Sequence, residues 1–138
     1  MNRNDKFFIQ NRTKEFEGFR NKVYSCPAGK LTIGYGTNLE DRGLTEGEAS
    51  FLLMNDVMRI EENLKAHHLI FENVKINAVL IDMAYQMGVS GLLKFKNMLA
   101  SIRSGDYQDA AEHLLDSNYA KQTPSRAEAN ATVLRGIK

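Results

Sequence analysis

A single cysteine, Cys26, in a chain of 138 residues leaves no partner for an internal disulfide. None is required, because a chain of this length can bury roughly 68% of its unfolded surface. Excess charge of one sign is also missing. Eighteen Lys and Arg against 17 Asp and Glu give a net charge of +1, whereas a nucleic-acid binder would be strongly basic on one face. Apolar runs such as Phe51-Met54 and Ala78-Ile81 fall far short of the ~20 residues a membrane span needs, so no stable membrane insertion is expected. The start, Met1-Asn2-Arg3-Asn4-Asp5, has only the short apolar patch Phe7-Ile9, and no signal peptide is recognisable, so the chain is not expected to direct its own export. Three histidines without metal-ligand spacing predict no metal. His67 and His68 are adjacent and would point about 100° apart on a helix, and no cofactor motif is present. What remains is ordinary globular composition, 43% hydrophobic and 25% charged.

Glycine and proline concentrate in one window, Pro27, Gly29, Gly34 and Gly36, among the strand formers Val23, Tyr24, Leu31, Ile33 and Tyr35. Residues 22–39 are read as a β-hairpin turning around Pro27-Ala28-Gly29-Lys30. The rest reads as helix. The first covers 4–17, with Phe8, Phe16 and the stem of Arg12 towards one side, and Gly18 stops it. Thr45-Glu46-Gly47-Glu48 is a capping box for a long helix from 46 to 65, expected to bury Phe51, Leu52, Val57 and Ile60. Asn73 caps an apolar helix over 74–87, and Gly88 and Gly91 break the chain after it. Helices over 92–104 and 107–115 follow, the latter capped by Asp106. Thr123-Pro124 opens a last helix, with Thr at the N-cap and Pro at the first helical position. The class is α+β, mostly helical.

Three groups of residues can carry chemistry. Glu17 sits at a helix C-terminus, where the macrodipole disfavours the charged carboxylate, a setting that suits a general acid. Taken alone, it reads equally as a solvated glutamate at a frayed helix end. Cys26 and Thr32 have five residues between them. A five-residue turn would set them opposite each other on one face, close enough to hold one water. A buried, inert cysteine is the other reading. Tyr119, Gln122 and Arg126 gather an aromatic face and polar forks around a helix N-terminus, the parts of a sugar-binding wall or simply a helix cap with a solvated arginine.

Glu17-Gly18-Phe19-Arg20, Lys22-Val23-Tyr24 and Thr32-Ile33-Gly34-Tyr35-Gly36 resemble the active-site segment of phage-type lysozymes. These are the T-even phage endolysins and their relatives, muramidases of glycoside hydrolase family twenty-four. The family pattern of Glu, eight residues, Asp or Cys, five residues, Thr falls on Glu17, Cys26 and Thr32 without a gap. Gln86-Met87-Gly88 with Gly91 and Phe95 resembles the end of the family's central helix. Tyr119, Gln122-Thr123-Pro124 and Arg126 resemble its C-terminal motif. The likeness covers about residues 12–136. Cys26 stands where the best-known members have Asp, Thr37 where His is frequent, and Tyr119 where Trp is frequent. The near-zero charge also departs from the strongly basic members, which weakens attraction to an anionic wall.

The resemblance implies a single lysozyme-like catalytic domain over 1–138. Its hairpin lobe would span about 18–50 and its helical lobe 1–17 and 66–138, with the long helix joining them and a cleft between. It implies hydrolysis of the β-1,4 bond between N-acetylmuramic acid and N-acetylglucosamine, with inversion. Glu17 would protonate the leaving oxygen, while Cys26 and Thr32 place the attacking water. Inverting enzymes hold the two groups ~6.5–9.5 Å apart for that purpose. Arg126 would pair with Glu17, and Gln86, Tyr119, Gln122 and Arg126 would contact substrate. The expected partner is the glycan strand of peptidoglycan, met by a monomer. The protein would wait in the host cytoplasm for a holin or another route to the wall, or travel in the virion. A lytic transglycosylase and a non-catalytic wall-binding module are the alternatives.

Overall fold

The structure, a computed structural model, describes all 138 residues. In chain order the elements are α1 (Arg3–Glu17), β1 (Arg20–Ser25), β2 (Leu31–Gly34), β3 (Thr37–Asn38), α2 (Glu46–Ala66), α3 (Val74–Leu93), α4 (Lys96–Ser104), α5 (Tyr107–Leu115), α6 (Asn118–Gln122) and α7 (Pro124–Arg135). This is the mostly helical α+β class expected. The chain divides into two compact units, Met1–Phe51 and Leu52–Lys138.

In the first unit, a reciprocal box caps α1. The Asn2 side chain accepts from Asp5 N–H, and the Asp5 carboxylate accepts from Asn2 N–H, each at 2.8 Å. Gly18 ends the helix with φ +69° while its N–H bonds the Lys14 carbonyl at 3.0 Å. The helix buries no side chain. Phe8 and Phe16 are exposed, and Arg12 lies over the Phe16 ring at 5.1 Å. The hairpin expected over 22–39 is a three-stranded antiparallel sheet in the order β1-β2-β3. The sequence signal missed β3, which has only two residues, Thr37 and Asn38, paired with Ile33 and Thr32. Between the pairs Arg20–Gly34 and Tyr24–Thr32 the β1 strand is irregular, taking four steps where β2 takes two.

The capping box at the start of α2 forms as expected, with Glu48 N–H to Thr45 Oγ1 at 3.1 Å and Thr45 N–H to Glu48 Oε1 at 2.9 Å. The burial expected along this helix does not follow. Phe51 and Leu52 are exposed, Val57 and Ile60 are half-buried, and only Leu64 is fully buried. Leu52 lies 12 residues before Leu64, about 18 Å along the helix at 1.5 Å per residue, and only the far end of that stretch, Ile60 and Leu64, meets the core cluster.

The core belongs to the second unit. Leu64, Leu69, Ile76, Leu80, Met83, Leu92, Met98, Ile102, Leu114 and Leu134 are sealed in one cluster. Truncating any of these to Ala costs about 2–5 kcal/mol. α7 packs on α5, α3 and α6, and α4 packs on α5. By length and apolarity α3 would pass for a membrane span, a feature the short apolar runs conceal. Its residues Ile76, Val79, Leu80, Met83 and Ala84 are nevertheless buried in this cluster, the mark of a core helix. Asn73 caps α3 by accepting from Lys75 N–H, and Asp106 caps α5 by accepting from Asp109 N–H, both as expected. Gly88, at φ +79° and ψ 160°, kinks α3, which resumes to Leu93 straight through Gly91. The short helix α6 was not anticipated. Ser117 caps it and closes a single turn too short for periodicity to register. Thr123 holds the N-cap position of α7, yet its hydroxyl donates backward to the Tyr119 carbonyl at 3.0 Å instead of accepting from the new helix.

Candidate active site

In the first unit, Glu17 is the last residue of α1, exposed, at the point where Gly18 turns the chain into β1. Its carboxylate lies against the backbone of Gly36, in the turn between β2 and β3. Two contacts hold the same helix end to that turn. Lys14 Nζ stands 5.2 Å from the Tyr35 ring centroid, and the Phe19 and Tyr35 rings are 5.5 Å apart.

Cys26 and Thr32 share a face of the sheet, but not as directly opposed partners. Thr32 pairs with Tyr24, and Ser25 pairs with Leu31. Cys26 opens the five-residue loop 26–30, donating its N–H to the Lys30 carbonyl at 2.9 Å while Gly29 N–H returns to the Cys26 carbonyl at 2.8 Å. The loop closes one residue earlier than the sequence reading placed it. Because side chains alternate with a period of two, Cys26 and Tyr24 project to the same side, and Thr32 opposite Tyr24 joins them as a diagonal neighbour.

Thr32 is buried, and it is the only residue of this unit that is. Its hydroxyl donates to the Lys30 carbonyl at 2.9 Å. Hydrogen bonding from the Lys30 backbone, then from Ala28, holds the half-buried Cys26 thiol below the ordinary cysteine range. Partial desolvation opposes this, and the Thr32 hydroxyl adds a smaller lowering. Thr32 has one hydroxyl proton, so it serves either the Lys30 carbonyl or the Cys26 thiolate at a given moment.

In the second unit, Gln86, Tyr119 and Gln122 come together. With Met87 and Phe95 they line a cavity of about 650 Å³. Tyr119 meets Phe95 edge-on, with centroids 6.1 Å apart and planes at 87°. Arg126 is not among the lining residues. Sequence reasoning gave it Glu17 as a partner. Its Nε and Nη2 instead grip Asp82, at 3.0 and 2.5 Å. That fork and the Asn130 amide, 3.0 Å from Asp82 Oδ2, hold the Asp82 carboxyl below the usual carboxylate range, with Arg126 the larger influence. Asp82 and Asn130 were missed. The available signal was a lone carboxylate between Ile81 and Met83 in the most apolar helix, which calls for a partner.

The phage lysozyme family matches this chain over residues 14–135. The pre-baseplate central spike protein Gp5 of Enterobacteria phage T4 is 31% identical over 78% of this chain, and the match spans 19% of that protein. An endolysin of Acyrthosiphon pisum secondary endosymbiont phage 1 is 24% identical over 88% of this chain and 85% of its own length. A probable T4-type lysozyme of Dictyostelium discoideum is 24% identical over 74% of this chain and 65% of its own length. The chain thus corresponds to most of the endolysin but to about a fifth of the spike protein. With residues 14–135 of 138 matched, the chain belongs to the phage lysozyme family.

Proposed function

We propose that this chain is a peptidoglycan hydrolase, a muramidase of the endolysin type that cleaves the β-1,4 bond between N-acetylmuramic acid and N-acetylglucosamine. Family membership supports the reaction class. The observation that carries the residue assignment is the shared face of Cys26 and Thr32 on the sheet whose next turn receives the Glu17 carboxylate.

In this reading Glu17 gives its proton to the glycosidic oxygen as the bond to the anomeric carbon breaks. A water on the other face of the ring attacks that carbon, and its proton passes to the Cys26 side or to solvent. Thr32 and Cys26 orient the water. One displacement inverts the anomeric centre. A thiol held below its ordinary range offers more thiolate at neutral pH than a free cysteine does. Gln86, Tyr119 and Gln122 form a wall for the saccharide, an aromatic face flanked by amides. Arg126 serves this wall through its neighbours.

We take residues 1–138 as one catalytic domain, with α1 grouped with the hairpin in Met1–Phe51, where the sequence suggested a helical lobe of 1–17 and 66–138. The protein would act as a monomer on the wall, released from the host cytoplasm by a holin or carried in the virion. The endolysin relative favours the first route and the spike-protein relative the second.

The test is turbidity loss of purified sacculi, followed by mass spectrometry and early-time NMR of the products. Reducing ends with an α-anomer formed first are expected. Anhydro-sugar ends would mean a transglycosylase, and binding without clearing would mean a wall-binding module.

A further inference from the structure

Asp82 is set apart within α3. It is the only acidic side chain in a helix whose fully buried residues are all apolar, and two side chains from one face of α7 reach it. Arg126 and Asn130 are four residues apart and therefore share a side of that helix. Arg126 binds with its guanidinium edge. Asn130 is buried and donates from Nδ2 to Asp82 Oδ2 at 3.0 Å and, from the same nitrogen, to the Tyr119 hydroxyl at 3.3 Å. An amide nitrogen has two protons, and here each has its own acceptor.

The carboxylate therefore decides which way the Asn130 amide faces. Flipping it would set the amide oxygen against a carboxylate in a partly buried site, a repulsive contact that leaves both unsatisfied. With the amide held, Tyr119 meets a donor and its oxygen accepts. Thr123, which also lines the cavity, is the second hydrogen-bond neighbour of the Tyr119 hydroxyl, so the phenol is held between Asn130 and Thr123. Phe95 fixes the ring from its edge, and the ring lines the 650 Å³ cavity. Asp82 and Asn130 do not line it.

From this chain of contacts we infer that Asp82 is a positioning residue for substrate binding: through Asn130 it anchors the Tyr119 hydroxyl and so sets the orientation of the Tyr119 ring at the cavity wall, where the ring would meet an N-acetylated sugar. The inference rests on the reading of that cavity as the saccharide wall. Asp82 acts at one remove, so its loss falls on KM and not on the chemical step.

The experiment measures kcat and KM on soluble, uncross-linked peptidoglycan strands for the parent, Asp82→Asn, Tyr119→Phe and their double variant. Each single change should raise KM about fivefold, the effect of one lost hydrogen bond. kcat should stay within about twofold, and the double variant should be no worse than either single one. Asn130→Leu, which leaves the Asp82–Arg126 pair in place, should reproduce the rise and serves if Asp82→Asn does not fold. Unchanged KM, multiplying effects, or a fall in kcat alone would overturn the inference. A parent protein that cleaves nothing would instead remove the functional reading. The relay is then decided by NMR of ring-labelled tyrosine, with the Tyr119 signals assigned by their loss in Tyr119→Phe. They should move in Asn130→Leu, and Tyr119 signals that stay in place would overturn the relay whatever the activity.

Discussion

The carboxylate of Glu17 rests on the backbone of Gly36 so closely that a Cβ at Gly36 would stand 2.8 Å from Glu17 Oε2. Glycine is favoured there by φ +82°, and an added Cβ would displace the flexible end of the Glu17 side chain. Gly36→Ala should push the carboxylate aside and lower lytic activity at least about tenfold, since small displacements of a catalytic group are costly. Stability should fall by about 1 kcal/mol from the backbone alone. Gly34 is the control. It has φ +69° with nothing within 4 Å of an added Cβ. Gly34→Ala should match the stability loss while keeping most of the activity, as turbidity assays and thermal melts would show. Equal activity in the two variants would separate Glu17 from the chemistry.

Glu17→Gln should remove at least about a hundredfold of the lytic rate, the low end of what a positioned general acid supplies. The amide keeps the shape and has no acidic proton. The melting temperature should hold or rise, because a negative charge leaves a helix C-terminus. Half the parent activity in this variant would end the assignment.

Cys26 should react with iodoacetamide with a pH midpoint below the ~8.5 of a free thiol, since its pKa is held down and the thiolate is present at lower pH. Thr32→Val should move the midpoint up slightly. Alkylation should abolish lysis by filling the place of the water, and Cys26→Asp should remain active. Cys26→Ser separates two roles. Substantial activity means the side chain orients the water, and near-total loss means the thiolate takes its proton. Full lysis after complete alkylation would make Cys26 structural.

Glu48 predicts an acid-sensitive cap. Arg42, then the Thr45 backbone and hydroxyl, hold its carboxyl down at about 2. A group depressed in the folded state stabilises above its unfolded pKa, near 4.3, and that stabilisation is lost as pH falls through the folded value. Urea melts of the parent should therefore weaken between about pH 4.5 and 2, and Glu48→Gln should flatten that part of the curve. Parallel curves would mean that the Arg42 contact at 2.6 Å does not persist in solution.

Much of the fold was written locally. Asn73, Thr45 with Glu48, and Asp106 cap the helices they were expected to cap, because a cap is a contact over two or three residues. The spacing of Glu17, Cys26 and Thr32, with Gln86, Tyr119, Gln122 and Arg126, already resembled the family that matches over 14–135. The tertiary structure decided what depends on partners far along the chain. Loop closure at Ser25–Leu31 made Cys26 and Thr32 diagonal neighbours, because moving a five-residue loop by one position along the chain resets which pairs face each other. Phe51 and Leu52 are apolar but unburied, because burial needs an element to pack against and periodicity records only the helix's own face. Arg126 has its carboxylate 44 residues away, at Asp82. Its residue type called for an anion, and the packing of α3 against α7 chose which one.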